Sequence, residues 1–584
     1  MPRHSSRSLL FCIIFIGFIL RVTGIHFGLP FQFHQDEPIV VNHALGFGSG
    51  DFNPHFFAIP PFVSYVLFFI YAGLFIAGKF FGIWRGAEDF ICFYFKDPSI
   101  FYLIGRFFIG VLPGTLSVAW TYRLARRFLS RSVSIYSAAI MSVSFLNVIN
   151  AHYIYTDMFL VLFAVIAYES FFRIYKKPFL KNYVISGVLV GFAASVKYNG
   201  IMLVFPYLLT HIFTEIKNKT VPKKIFFSRF LWSGIFSAFA VIIFTNPFSV
   251  ITPAEFKDSF LKQAQAFWYM GFTHHISYSL YEGISHTITA FGIIGLILMV
   301  IKDKFRGMIF CIFPIVFYMI LVFSSQPFPR YVLLLVPFLS IGGAYFLFSI
   351  FKINEKLGSN KITRILNIVI AILFLVPTVS KSIKADILFC GVDTRVESAE
   401  WIKNNLEPGS KIAFDSTFFR PALKQPYQQI ERKKEFLKNQ PGMKNLKRRK
   451  LELMIKAAKE ENRKYPFYFL FDTPEGQGQF LETLPALPLD VNVLKKEGIE
   501  YIVINTASFT PGKEKFLEDI DEREEAIKEF SPYLDRVYRR VFDEVELTCL
   551  PVNDLDVYNR VEMGPPLRIY KIISKKINSE NNEE

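Results

Sequence analysis

After its first apolar run the chain reads "GLPFQFHQDEPIVVNHALGFGSGDFNPHFF", which sets Asp36 beside Glu37 a few residues from hydrocarbon. Paired acids gain nothing from lipid, and like charges in contact repel. They either cap a helix or do chemistry. Four more polar residues stand at the ends of other apolar runs: His152 and Asp157 in "NAHYIYTD", Lys197 in "ASVKYNG" and Arg330 in "QPFPRYVLLLVP". Each has an ordinary reading. Asp36 can N-cap a helix that carries Pro38 in its first turn. His152 suits a satisfied interfacial position, Asp157 a cap, and Lys197 and Arg330 cations that snorkel to the headgroups. Together they suit a different task. Two cations can neutralise a phosphate as charge builds on a leaving group. A carboxylate nearby can take the proton of an attacking hydroxyl, a poor nucleophile until it loses that proton. That combination is sugar transfer from a lipid phosphate to an acceptor hydroxyl. One base suffices for inversion, whereas retention needs a second carboxylate about 5 Å away across the sugar. Asp36 and Glu37 are adjacent and point apart on a helix, so inversion is expected.

The elements that must position these residues are membrane spans. The 584 residues are 52% hydrophobic and 17% aromatic, with 68 Phe and 5 Trp. Mean hydropathy is +0.33, too apolar for a soluble chain of this length. The formal charge of +16 suggests nucleic acid, but Lys and Arg fall in short blocks between apolar runs and in one charged helix near the C-terminus. Nucleic acid is the weaker reading, and no nucleic-acid partner is expected. A span needs about 20 apolar residues. Segments 9–27, 100–123, 132–150, 158–175, 182–196, 198–214, 229–245, 284–301, 308–324, 331–351 and 363–381 qualify. The first, with its basic start, resembles a signal peptide, but it lacks a small-residue cleavage site and is read as retained. If the blocks "RLARRFLSR", "RIYKKPFLK", "KNKTVPKKIFFSR", "KDKFRG" and "FKINEKLGSNKITR" are all cytoplasmic, these spans alternate without conflict. Segment 60–84 is apolar enough to cross, yet a crossing there would invert every later block. Residues 55–99 are therefore expected to lie on or dip into the outer surface, with Lys79, Trp84 and Arg85 at headgroup level.

The expected fold class is thus a mostly α polytopic bundle of about eleven spans over 1–383, with a first outer loop at 28–99 and a C-terminal extracytoplasmic α/β domain over 384–584. In that domain "TRVESAEWIKNN" reads as a helix, and "KIAFDST", "PFYFLFD", "YIVIN" and "LRIYKI" as strands. The charged run 431–464 reads as a helix broken near Pro441 and Gly442. No Gly-rich phosphate loop opens the domain. Five Cys show no metal-binding spacing; Cys390 and Cys549 could pair, but two free buried thiols are the expectation.

The order of motifs resembles the polytopic glycosyltransferases of the C superfamily, in the branch of the protein O-mannosyltransferases and the bacterial aminoarabinose transferase. "HQDEP" (34–38) resembles that branch's acidic first-loop motif. "GDFNPHFFAIPPF" (50–62), "IGRFFIGVLPGTLSVAWTYRLARR" (104–127), "NAHYIYTDMFLVLF" (150–163), "GFAASVKYNGIMLVFP" (191–206) and "PRYVLLLVPFL" (329–339) follow in the family's order. The resemblance covers 8–382. The tail differs from the β-trefoil insert of eukaryotic mannosyltransferases and is similar to an extension of prokaryotic members. The resemblance implies Asp36 as general base and Glu37 as the group that orients it or the acceptor. It implies Arg330 and Lys197, with Arg106 third, as holders of the donor phosphate, and His152, Asp157 and Tyr331 as cavity lining. It further implies a polyprenyl-phosphate-linked sugar donor, a lipid, glycan or protein acceptor, a cell (inner) membrane location, and no fixed need for a metal, a divalent ion being left open. Two other classes compete. A flippase should carry charges or broken helices at mid-membrane, whereas here the charges stand at one face. A non-catalytic scaffold for the outer domain would not need the acids.

Overall fold

The computed structural model describes residues 3–34, 36–221, 225–264, 273–323, 328–358, 361–415, 419–438, 445–471, 486–506, 511–523, 525–531, 557–558 and 560–572. Each segment expected to span is built on helix. The segment 132–150 is interrupted at Ser144, where the Phe145 N–H donates to Thr378 Oγ1 at 3.0 Å. Among the described residues, seven helices are long and apolar enough to cross a membrane, and a bent pair (His275–Gly283 and His286–Lys302, 113°) makes an eighth. Leu180–Val196 and Arg229–Thr245 are shorter apolar helices. The helices approach closely where side chains vanish: a Cβ on Gly295 would lie 1.9 Å from the Gly342 carbonyl oxygen.

Two features of the first outer loop differ from expectation. Residues 62–80 form one helix of 19 residues with mean hydropathy 1.8, which by length and composition is a span like the others. Length and composition alone therefore do not yield eleven spans. Trp84 is not a headgroup anchor. Its indole folds back over Gly78 and donates from Nε1 to the Phe75 carbonyl at 2.8 Å, leaving it 5% exposed, while Lys79 and Arg85 are exposed.

The last apolar helix, Lys361–Cys390, runs on past residue 383, and Asp393 caps the first helix of the C-terminal region, Thr394–Asn405. The C-terminal region holds a six-stranded sheet in the order β3-β2-β1-β4-β6-β5, with β1 Ile412–Phe414, β2 Phe467–Phe471, β3 Ala486–Pro488, β4 Tyr501–Asn505, β5 Glu525–Phe530 and β6 Leu567–Lys571. The β1–β2, β2–β3 and β1–β4 pairs are parallel, and β6 is antiparallel to β4 and β5. Ile412 and Phe414 enter one core and Ala413 the other, so the sheet is buried on both faces. The two strands not anticipated, β3 and β5, are the edges; one is three residues ending in Pro and the other carries Glu525, Lys528 and Glu529. The charged run forms helices Tyr427–Lys438 and Asn445–Glu460, while the expected break at Pro441 and Gly442 lies outside the described residues. Cys390 is a free, exposed thiol rather than a buried one, and Cys549 lies outside the described residues.

Candidate active site

The helix over Ser99–Ala125 contains a π turn at Arg106–Val111. Beside it, Gly110 packs on the turn at 151–155 so closely that a Cβ would lie 2.2 Å from the Ala151 carbonyl oxygen. This approach carries Arg106 to Glu37. Arg106 donates from Nε to Glu37 Oε1 at 2.9 Å and from Nη2 to Oε2 at 2.8 Å, and Nη1 reaches the carbonyls of Ile25 (2.9 Å) and Phe27 (2.7 Å). Glu37 also accepts the Ile154 N–H at 3.1 Å. Neither side chain exceeds 1% exposure. The two acids of "HQDEP" thus part company: Glu37 is a buried staple joining the first loop, the second apolar run and the 151–155 turn. The assignment of Arg106 to a donor phosphate is corrected by this geometry, because its guanidinium is sealed and four of its five N–H groups go to Glu37 and two carbonyls.

Asp36 occupies the N-cap position of the helix Glu37–Gly46, yet its side chain accepts no helix N–H. Its Oδ2 accepts from Arg330 Nη2 at 3.0 Å, and the carboxylate remains 24% exposed. Arg330 opens the turn Pro329–Leu335 that leads into the helix Val336–Leu357, and it lies over the rings of Phe328 (4.8 Å), Tyr155 (5.1 Å) and Tyr331 (5.7 Å). On the other side of this patch Lys197 Nζ sits 4.9 Å over Tyr331 and donates to Asp157 Oδ1 at 2.9 Å. Asp157 is in the first turn of the helix Thr156–Lys176. Two acid–base pairs, Asp36–Arg330 and Asp157–Lys197, therefore share the Tyr331 ring. Five of the residues expected at the site stand together; Glu37, Arg106 and His152 stand behind it.

His152 is fully buried and is corrected from a cavity-lining residue to a packing one. One ring nitrogen meets the Val148 carbonyl (2.9 Å), the other that of Thr23 (2.7 Å), and the ring stacks on Phe389. Burial pushes its pKa down to about 4. Two residues of the site were not anticipated. His34 accepts the Asp36 N–H at Nδ1 (3.1 Å), which leaves the proton of the neutral ring on Nε2, in hydrogen-bond contact with the Tyr155 hydroxyl. Burial, and then the charges of Arg330, Arg106 and Arg395, hold the His34 pKa well below its ordinary value. Arg330 Nη1 approaches the same hydroxyl at 3.4 Å. The available signal was spacing: His34 precedes Asp36, and Tyr155 precedes Asp157, by two residues. Among the described residues no group of three or more His, Cys, Asp or Glu is arranged to hold a metal.

Residues 103–245 match the family model of the dolichyl-phosphate-mannose-protein mannosyltransferases. No curated protein matches the chain significantly by sequence. Solved structures similar to it include ArnT from Cupriavidus metallidurans bound to undecaprenyl phosphate, at TM-score 0.49 and 13% identity over 90% of this chain and 97% of that one. The archaeal oligosaccharyltransferase AglB from Archaeoglobus fulgidus, in complex with an inhibitory peptide and a dolichol-phosphate, is similar at TM-score 0.47 and 12% identity, over 91% of this chain and 73% of that one.

Proposed function

We propose that this chain, a C-superfamily polytopic glycosyltransferase by its ordered motifs and the family match over 103–245, moves a sugar from a polyprenyl-phosphate donor to an acceptor hydroxyl at the outer membrane face, with inversion and Asp36 as general base. The observation that carries this reading is the division of labour between adjacent acids. Glu37 is sealed against Arg106, while Asp36 is part-exposed beside two cations grouped around one aromatic ring. In the step, the acceptor O–H proton passes to Asp36 as the acceptor oxygen bonds to the anomeric carbon. The bond from that carbon to the donor phosphate oxygen breaks, and its electron pair leaves with the phosphate. Arg330 and Lys197 take up that charge. A phosphate presented to them competes with Asp36 and Asp157 for the same donors, so donor binding loosens Asp36 from Arg330 before it must accept a proton. His34, held neutral, fixes the Asp36 backbone without adding charge.

The role of Arg330 is tested by charge-conserving substitution. Arg330→Lys keeps the charge but loses the planar fork, so the donor KM should rise roughly tenfold, and more in Arg330→Ala. Donor saturation curves that superpose on wild type for both variants would reduce Arg330 to a surface anchor. The orientation proposed with this reading, N-terminus cytoplasmic and outer domain extracytoplasmic, is tested by a reporter active only in the cytoplasm. Fused after Gly391, it should be silent; a strong signal would move the site to the other face.

A further inference from the structure

A cavity of about 460 Å³ lies between the first outer loop and the outer domain, on the flank of the segment that carries Asp36. Its membrane-domain wall is formed by residues 30–33, Pro38, Asn42 and Tyr94–Phe95, and its outer-domain wall by the 420–425 segment, Lys450, Arg463, Phe467 and Phe469. Four cations stand around it. Lys424 and Arg463 are spoken for: both pair with Glu461, and they reach across to the carbonyls of Lys96 (2.6 Å) and Phe95 (3.3 Å), clamping the two halves together. The other two are not. Among the described residues no carboxylate pairs with Arg420 or Lys450. Arg420 lies over Phe467 (4.7 Å) and Phe469 (5.8 Å), spends Nη1 on the carbonyls of Pro421 and Leu423, and has a buried Nε with no partner. A guanidinium in apolar surroundings without a counter-charge is costly, and burial holds its pKa down to about 10. Lys450 stands on the exposed side of the helix Asn445–Glu460, at the rim. Phe31, Tyr94 and Phe467 supply flat apolar walls.

We infer that this cleft is a second binding site, for a phosphate or carboxylate group carried on a ring-bearing molecule, with Arg420 gripping the anion at the base, Lys450 at the rim and the aromatic walls packing the ring. The volume suits a ligand of one or two rings. The inference does not depend on the proposed reaction, because it concerns groups other than Asp36, Arg330 and Lys197 and is read out with no donor present.

The test uses the full chain in nanodiscs of phosphatidylcholine, a lipid without net charge. Binding of phenyl phosphate, benzoate and the neutral phenyl β-glucoside is measured by calorimetry. One of the two anions should bind at least about tenfold more tightly than the glucoside, and which one does identifies the group. Arg420→Gln should weaken that binding. Because Arg420 also packs on aromatic rings, the deciding variant is Lys450→Glu at an exposed helix position, which should weaken it about tenfold with an unchanged melt. Replacing part of the lipid by phosphatidylglycerol separates two sources of the anion: displacement of the soluble probe assigns the site to a lipid headgroup, and no displacement to a soluble molecule. Equal affinity for the anions and the glucoside, or an unchanged Kd in Lys450→Glu, would overturn the inference. Asp36→Asn should bind the anion as wild type does, so failure of the catalytic reading and failure of this one are told apart.

Discussion

Asp36→Asn should cut sugar transfer by about 100- to 10,000-fold while leaving the thermal melt close to wild type. A cap role predicts no loss of activity, because Asn caps as well as Asp. The geometry already removes the cap: the Asp36 side chain accepts no helix N–H and points instead to Arg330. What the substitution changes is the capacity to accept a proton. The amide oxygen can still accept from Arg330, and the Asp36 side chain is 24% exposed, so water reaches the side of the pair that loses its charge. Donor affinity should survive or rise slightly, since Arg330 no longer has a carboxylate competing with phosphate. The measurement is transfer from a polyprenyl-phosphate sugar by purified variant and wild type, beside their melts. Full turnover with a normal melt would sink the catalytic assignment.

The contrast between these two acids marks how far the sequence can be read. Asp36, Asp157, Lys197 and Arg330 are legible because each is a charge at the end of an apolar run, where lipid excludes idle charge. That the four meet around Tyr331 follows from the helix order, which brings these helix ends to one face. Which charges turn inward is not legible. Arg106 and Arg330 both stand beside aromatic residues, yet one is sealed by two backbone carbonyls and a carboxylate and the other faces the site. The difference is made by the close packing of Gly110 on the 151–155 turn, a contact between segments far apart in the chain. His152 fails for the same reason: its partners are carbonyls at Val148 and Thr23, which no side-chain pattern announces. In the C-terminal sheet the central strands are read from continuous apolar runs, whereas the edge strands β3 and β5 take their form from pairing with a neighbour rather than from their own residues.

Glu37→Gln should have the larger effect on folding and the smaller one on chemistry. It leaves the Arg106 guanidinium buried with only backbone carbonyls and one amide oxygen as acceptors. Breaking a buried pair by removing one charge typically costs about 3–5 kcal/mol. The loss should appear as a lowered melt and faster proteolysis of the loop over 23–36, because Arg106 is what holds the carbonyls of Ile25 and Phe27. Arg106→Gln should behave alike. The Glu37→Leu/Arg106→Met double variant removes both charges and should be clearly more stable than the sum of its singles, since no uncompensated charge remains. Turnover per folded molecule in Glu37→Gln, assayed well below its melt, should stay within about tenfold of wild type, because a residue that acts by holding a loop has no proton to transfer. A Glu37→Gln protein that melts like wild type but has lost turnover as completely as Asp36→Asn would reverse the two roles and make Glu37 the base.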